Sequence, residues 1–150
     1  MIESVEEAQK AVAATRYPPK GIRGVSGSSR ATKFGRVTDY MSKIDDETTV
    51  ILQIESAAAI SQGVEIGSVD GVSGIFFGPS DIAADIGLLG QPMHEDVWKL
   101  IKPVAKKLIS KGIPVGTLVL DTEFAAELLN EGFSFVACAV DSDLLAKASD

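Results

Sequence analysis

Two short runs, Val50-Ile-Leu-Gln-Ile-Glu-Ser56 and Gly74-Ile-Phe-Phe-Gly-Pro-Ser-Asp81, decide how this chain folds. Each holds a few consecutive apolar residues, too few for a helix, and then breaks off into polar ones. That is the pattern of a strand buried in a parallel sheet. Each run also delivers a carboxylate at its C-terminal end, Glu55 on the first and Asp81 just past the second. In parallel α/β sheets, open or closed, ligands bind outside the carboxyl ends of the strands. Two carboxylates converging there would repel by roughly 4 kcal/mol at 4 Å and an effective dielectric near 20. A divalent cation removes that cost, and a ligand set made only of oxygens favours Mg²⁺ or Mn²⁺ over zinc. The alternative is that Glu55 is an ordinary polar strand end and Asp81 a helix cap.

The flanking sequence alternates helix and strand. Ser4-Val-Glu-Glu7 has the form of a capping box, so a helix is expected over residues 4–15, ended by Pro18 and Pro19. A loop rich in glycine, serine and arginine follows at 21–30. A short helix over 36–44 then leads to a solvated turn at Asp45-Asp46-Glu47. The first strand spans Thr49–Glu55, with Gln53 at the same parity as Glu55, so their side chains share a face. A helix over 56–65 and the strand Gly74–Phe77 come next, and Ser80 or Asp81 is placed to cap a short helix through Ile86. Apolar residues at 97, 100, 101, 104, 105 and 108 predict a helix from Glu95 to Lys111, bent at Pro103 and ended by Gly112. Pro114–Val119 is a third strand. Asp121 or Thr122 caps a helix that turns Phe124, Ala125, Leu128 and Leu129 inward, Phe133–Val140 is a fourth strand, and Asp141 opens a last helix. Strict alternation means a parallel sheet with right-handed crossovers.

The 150 residues suffice for one ordinary domain, and 45% hydrophobic content with 14 glycines fits an α/β protein. A net charge of −7 argues against nucleic acid or an anionic membrane as partner. The single cysteine, Cys138, suits a reducing compartment and reads as a buried, inert thiol within the fourth strand. No basic start with an apolar core is visible after Met1 and no apolar run approaches a membrane span, so a soluble cytoplasmic protein is expected. His94 reads as a surface or capping residue, and Trp98 as packing or interface. Lys106, Lys107 and Lys111 read as a solvated face.

Four segments, Thr15-Arg-Tyr-Pro-Pro19, Gly21-Ile-Arg-Gly-Val-Ser26, Leu52-Gln-Ile-Glu-Ser56 and Gly78-Pro-Ser-Asp-Ile82, resemble the HpcH/HpaI aldolase family in order and spacing. Among its members they look most like the 2-dehydro-3-deoxyglucarate aldolases. The resemblance implies a (β/α)8 TIM barrel, of which this chain matches the C-terminal half, about four parallel strands with outer helices. It implies a class II aldolase that cleaves 2-keto-3-deoxy sugar acids to pyruvate and an aldehyde. Glu55 and Asp81 would be the Mg²⁺ or Mn²⁺ ligands, and Gln53, Ser80 and Ser26 would contact the keto acid. The family's histidine–aspartate pair and its arginine have no counterpart in this sequence. That leaves two alternatives: a keto-acid-binding module completed by another chain, or a lyase of the citrate-lyase β type. No lysine falls at an expected strand end, which argues against Schiff-base chemistry. A half-barrel exposes an apolar face and two sheet edges, so a homo-oligomer is expected.

Overall fold

Because every strand is separated from the next by at least one helix, all pairings can be parallel, and they are. The structure, a computed structural model, describes residues 1–149. Strands β1 (Ile51–Ile54), β2 (Gly74–Phe77), β3 (Val115–Leu118) and β4 (Phe135–Ala137) form one sheet in chain order. The helices are α1 (Val5–Thr15), α2 (Tyr40–Glu47), α3 (Ala57–Ser61), α4 (Gly63–Gly67), α5 (Pro79–Asp85), α6 (Glu95–Ser110), α7 (Thr122–Asn130) and α8 (Asp141–Ser149). Ile2 donates its N–H to the carbonyl of Gln53 at 2.9 Å, so the start of the chain lies along the free edge of β1.

Period-two alternation gives the sheet two unlike faces. Leu52, Ile54, Ile75, Phe77, Val115 and Thr117 are all 5% exposed or less and lie under the helices with Ile66, Ile101 and Leu108. Thr117 is the polar member of this set, and its hydroxyl donates to the Phe77 carbonyl at 2.9 Å. The other face stays open, with Ile51 45% exposed. There Phe76 and Phe135 stack at 6.0 Å from two strands that are not neighbours. Gly116 lies between them in register, and a Cβ added there would meet the Phe135 ring at 2.0 Å. The glycine makes the contact possible.

Several expectations are corrected. Three of the four predicted strands shorten at their ends, most of all β4, which keeps only Phe135–Ala137, while Gly74–Phe77 keeps its expected bounds. Cys138 therefore falls outside the strand and is exposed, because β4 has a neighbour on one side only. Helix α2 begins at Tyr40 and takes in Asp45-Asp46-Glu47, the stretch expected as a turn. The helix expected over 56–65 divides at Gln62, which is both the C-cap of α3 and the N-cap of α4. Gly78 is the N-cap of α5, with Pro79 at the first helical position, so neither Ser80 nor Asp81 caps it. Leu129 is 49% exposed, not inward, whereas helix α6 runs through the exposed Pro103 as expected. The capping box forms with one change: Ser4 accepts from the Glu7 N–H at 3.2 Å, but Glu7 accepts from Glu3 at 2.8 Å.

His94 caps α6, its Nδ1 accepting from the Asp96 N–H. Trp98 is buried and donates to the Pro92 carbonyl at 3.0 Å. Among the described residues no helix is long and apolar enough to cross a membrane. Gly116→Val is expected to lower stability by about 1–3 kcal/mol through overpacking against Phe135. A urea titration should show a lower midpoint with an unchanged slope; an unchanged midpoint would mean that the ring moves aside freely.

Candidate active site at the strand ends

The pairing of β1 with β2 sets the site. Gln53 lies opposite Phe76 and Ile54 opposite Phe77. The ladder continues one step further, with the Gly78 N–H donating to the Ile54 carbonyl at 3.1 Å. Glu55 and Gly78 therefore leave the sheet side by side. A Cβ on Gly78 would sit 2.7 Å from both Cγ and Oε1 of Glu55, so the carboxylate lies directly against the glycine backbone. Gln53, two residues back on the same face, donates from Nε2 to Glu55 Oε1 at 3.2 Å. An exposed glutamine thus fixes the orientation of the carboxylate.

Pro79 starts α5 immediately, which places Ser80 and Asp81 in its first turn, both exposed. One further residue locks the two carboxylate-bearing segments together. Asp85, one turn beyond Asp81 on α5, accepts the Ala57 N–H at 2.8 Å, just after Glu55 in the chain. Ser56 caps α3 by accepting from Ala59 at 3.1 Å, and its hydroxyl donates to Glu3 at 2.5 Å. Sequence reasoning missed Asp85 and Gly78 as positioning residues. The spacing of Asp85 four residues after Asp81 was the available signal for the first; for the second, only the three-dimensional approach of Glu55 reveals it.

Gln53 and Glu55 are thus brought together, and Ser80 and Asp81 are carried on the adjoining turn. Ser26 is not brought to them. Its loop is anchored by the Arg16–Asp70 ion pair at 3.0 Å, the Lys20–Asp45 pair at 3.0 Å and the Arg23–Tyr40 hydrogen bond at 3.1 Å. Asp45 lies in the helix leading into β1, and Asp70 in the turn leading into β2. The loop is therefore tied to the N-terminal end of the strands, the opposite pole from Glu55. Its ordering centre is Thr32, 2% exposed, whose Oγ1 accepts from Ser29 and Gly35 at 3.1 Å each.

A cavity of about 230 Å³ opens next to Ser80, at the C-terminal end of β3. Asp121 at its rim caps α7, accepting from Glu123 at 3.0 Å and Phe124 at 2.9 Å. The carboxyls held below their usual range, Asp39 by hydrogen bonding to Lys43 and Asp96 by hydrogen bonding to Lys99, sit on α2 and α6 away from these strand ends.

The donor set fits a hard cation. Glu55 and Asp81 offer oxygen only, and among the described residues no group of three or more His, Cys, Asp or Glu is assembled to hold a metal. Mg²⁺ is ordinarily held by one or two carboxylates and completes its shell with water and substrate oxygens. Two carboxylates would therefore be enough.

Comparison with known proteins identifies the family. The family model described as HpcH/HpaI aldolase/citrate lyase matches residues 1–148. A pyruvate aldolase of Rhizobium etli is 45% identical over 149 residues, 99% of this chain and 59% of that protein. A 4-hydroxy-2-oxo-heptane-1,7-dioate aldolase of Shigella flexneri is 41% identical over 151 residues, 100% of this chain and 57% of that protein. The crystal structure of an HpcH/HpaI aldolase/citrate lyase family protein from Burkholderia cenocepacia superposes with a TM-score of 0.94 at 34% identity. It covers 99% of this chain and 60% of that one. This chain thus spans less than two thirds of the length of the relatives it matches, and its four parallel strands correspond to part of their (β/α)8 barrels. With a match over nearly every residue in sequence and in structure, the chain belongs to the HpcH/HpaI aldolase/citrate lyase family.

Proposed function

We propose that this chain carries the cation and oxo-acid half of a class II aldolase site, in the part of the barrel that supplies strands five to eight. The observation that carries the reading is the placement of Glu55 against Gly78, oriented by Gln53 and tied through Asp85 to the helix that bears Asp81. The reaction class is cleavage of 4-hydroxy-2-oxo acids, a class that includes the 2-keto-3-deoxy sugar acids. The bond between C3 and C4 breaks, the C4 hydroxyl gives up its proton to become an aldehyde, and the electron pair passes to C3 as the enolate of pyruvate. That enolate then takes a proton at C3.

Glu55 and Asp81 would hold Mg²⁺ or Mn²⁺, which supplies positive charge to the carboxylate and keto oxygens of the oxo acid and lowers the cost of the enolate. Gln53 holds Glu55 in place and offers its amide to the oxo acid, and Ser80 would contact the carboxylate through its main chain. The chain's single histidine caps α6, so it is not assigned the proton. A second reading is binding of a 2-oxo acid without cleavage until another polypeptide supplies the proton-handling groups. It is favoured by the share of its relatives' length that this chain covers. The exposed face of the sheet favours self-association in either case.

Calorimetry should show pyruvate binding that requires Mg²⁺ and is lost in both Glu55→Ala and Asp81→Ala. Binding without metal, or binding kept in either variant, would contradict the assignment. Gly78→Ala leaves the backbone relaxed, since φ there is −100°, but displaces Glu55; metal-dependent pyruvate affinity should fall about tenfold or more. Sedimentation at micromolar concentration should show a dimer or larger species, whereas a single sharp monomer boundary would refute self-association.

A further inference from the structure

Glu3 belongs to no helix or strand, yet its N–H, its carbonyl and its carboxylate are all engaged near the end of β1. The N–H donates to Glu7 Oε2 at 2.8 Å, which fastens the residue to the first turn of α1. The carbonyl accepts from Gln62 Nε2 at 3.5 Å, at the junction of α3 and α4. The carboxylate accepts the hydroxyl proton of Ser56 at 2.5 Å, in the range of a charge-assisted bond. Ser56 directly follows Glu55 in the chain. Its oxygen also accepts from the Ala59 N–H at 3.1 Å. A serine hydroxyl has one proton to give, so two bonds of opposite sense fix its rotamer. Next to Glu3, the Ile2 N–H donates to the Gln53 carbonyl at 2.9 Å. Ile2 and Glu3 thus bracket Glu55, one holding Gln53 before it and the other Ser56 after it.

We propose that Glu3 is a positioning residue for the cation site, acting through Ser56 to hold the Glu55 carboxylate against Gly78. The inference rests on the reading of Glu55 and Asp81 as cation ligands and adds a residue that acts on them through another. The hydrogen bond that orients Glu55 comes from Gln53, an exposed side chain, so its placement depends on the backbone that carries it. That backbone passes from strand to helix between Ile54 and Ala57. The turn is held from both flanks. On one, Asp85 of α5 accepts the Ala57 N–H; on the other, Glu3 accepts from Ser56. The Glu3 flank lies on the free edge of β1, where among the described residues no neighbouring strand does the same work. Without the Glu3 carboxylate the Ser56 hydroxyl loses its acceptor and the edge flank of the turn loosens.

The test compares Glu3→Ala, which deletes the acceptor, with Glu3→Gln, whose amide oxygen can still accept from Ser56. Pyruvate is titrated into the full chain with Mg²⁺. Affinity should fall about tenfold or more in Glu3→Ala, the usual loss when a residue that orients a metal ligand is removed. Glu3→Gln should restore it. Glu3→Asp keeps the charge but is one methylene too short, so it should lose affinity as Glu3→Ala does. In the metal-free ¹⁵N-labelled chain, the side-chain amide signal of Gln53 should shift in Glu3→Ala and stay in place in Glu3→Gln. A general loss of stability would not sort the variants in this way. Full affinity in Glu3→Ala or Glu3→Asp overturns the positioning role and leaves the cation reading intact. So does an equal loss in Glu3→Gln and Glu3→Ala, which would assign the effect to charge and not to the bond with Ser56. Absence of Mg²⁺-dependent pyruvate binding in the unsubstituted chain overturns both.

Discussion

The in-register parallel pairing of β1 with β2 governs the rest of the molecule. With Ile54 opposite Phe77 and the ladder extended by Gly78 onto the Ile54 carbonyl, the two chains leave the sheet at the same height. A slip of one residue would turn Leu52 and Ile54 out of the core and carry Gln53 and Glu55 into it. The hydrophobic contacts of Leu52, Ile54, Ile75 and Phe77 beneath the helices therefore do more than stabilise the sheet. They decide on which face and at what level the carboxylates emerge. Glycine at 78 then lets Glu55 lie against the backbone, and Pro79 forces the helix bearing Asp81 to begin at once.

Much of this was legible in the sequence because it rests on short-range rules. Strand positions followed from compact apolar runs, and the shared face of Gln53 and Glu55 followed from parity. The caps Ser4, His94 and Asp121 followed from side-chain chemistry next to apolar stripes. The failures were of other kinds. Asp45, Asp46 and Glu47 looked like a turn because of their charge, yet they extend α2, whose other members anchor it. Cys138 looked buried because its neighbours are apolar, but β4 is an edge strand whose ladder stops at Ala137. Ser80 and Asp81 looked like caps, while the backbone of Gly78 and the ring of Pro79 took that role.

The candidate site was legible only in part. Glu55 and Asp81 announce themselves as carboxylates after apolar runs, and Gln53 as a polar residue inside one. Asp85 and Gly78 act through tertiary contacts; the spacing from Asp81 hints at the first, and no local pattern marks the second. Ser26 belongs to a loop fastened to the opposite end of the sheet by Arg16, Lys20 and Arg23, ion pairs and hydrogen bonds that span tens of residues in sequence. At that end the basic side chains are paired with Asp45 and Asp70, whereas Glu55 and Asp81 stand at the other.

The most direct test of the account is where a divalent ion sits. Mn²⁺ can replace Mg²⁺ at an all-oxygen site and broadens the nuclear magnetic resonance signals of nearby amides. On titrating Mn²⁺ into the ¹⁵N-labelled chain, the account predicts that signals of residues 53–57 and 78–82 vanish first and together. Broadening centred on Asp45 and Asp46, or spread evenly over the acidic helices, would contradict the claim that the paired strands bring Glu55 and Asp81 to one site.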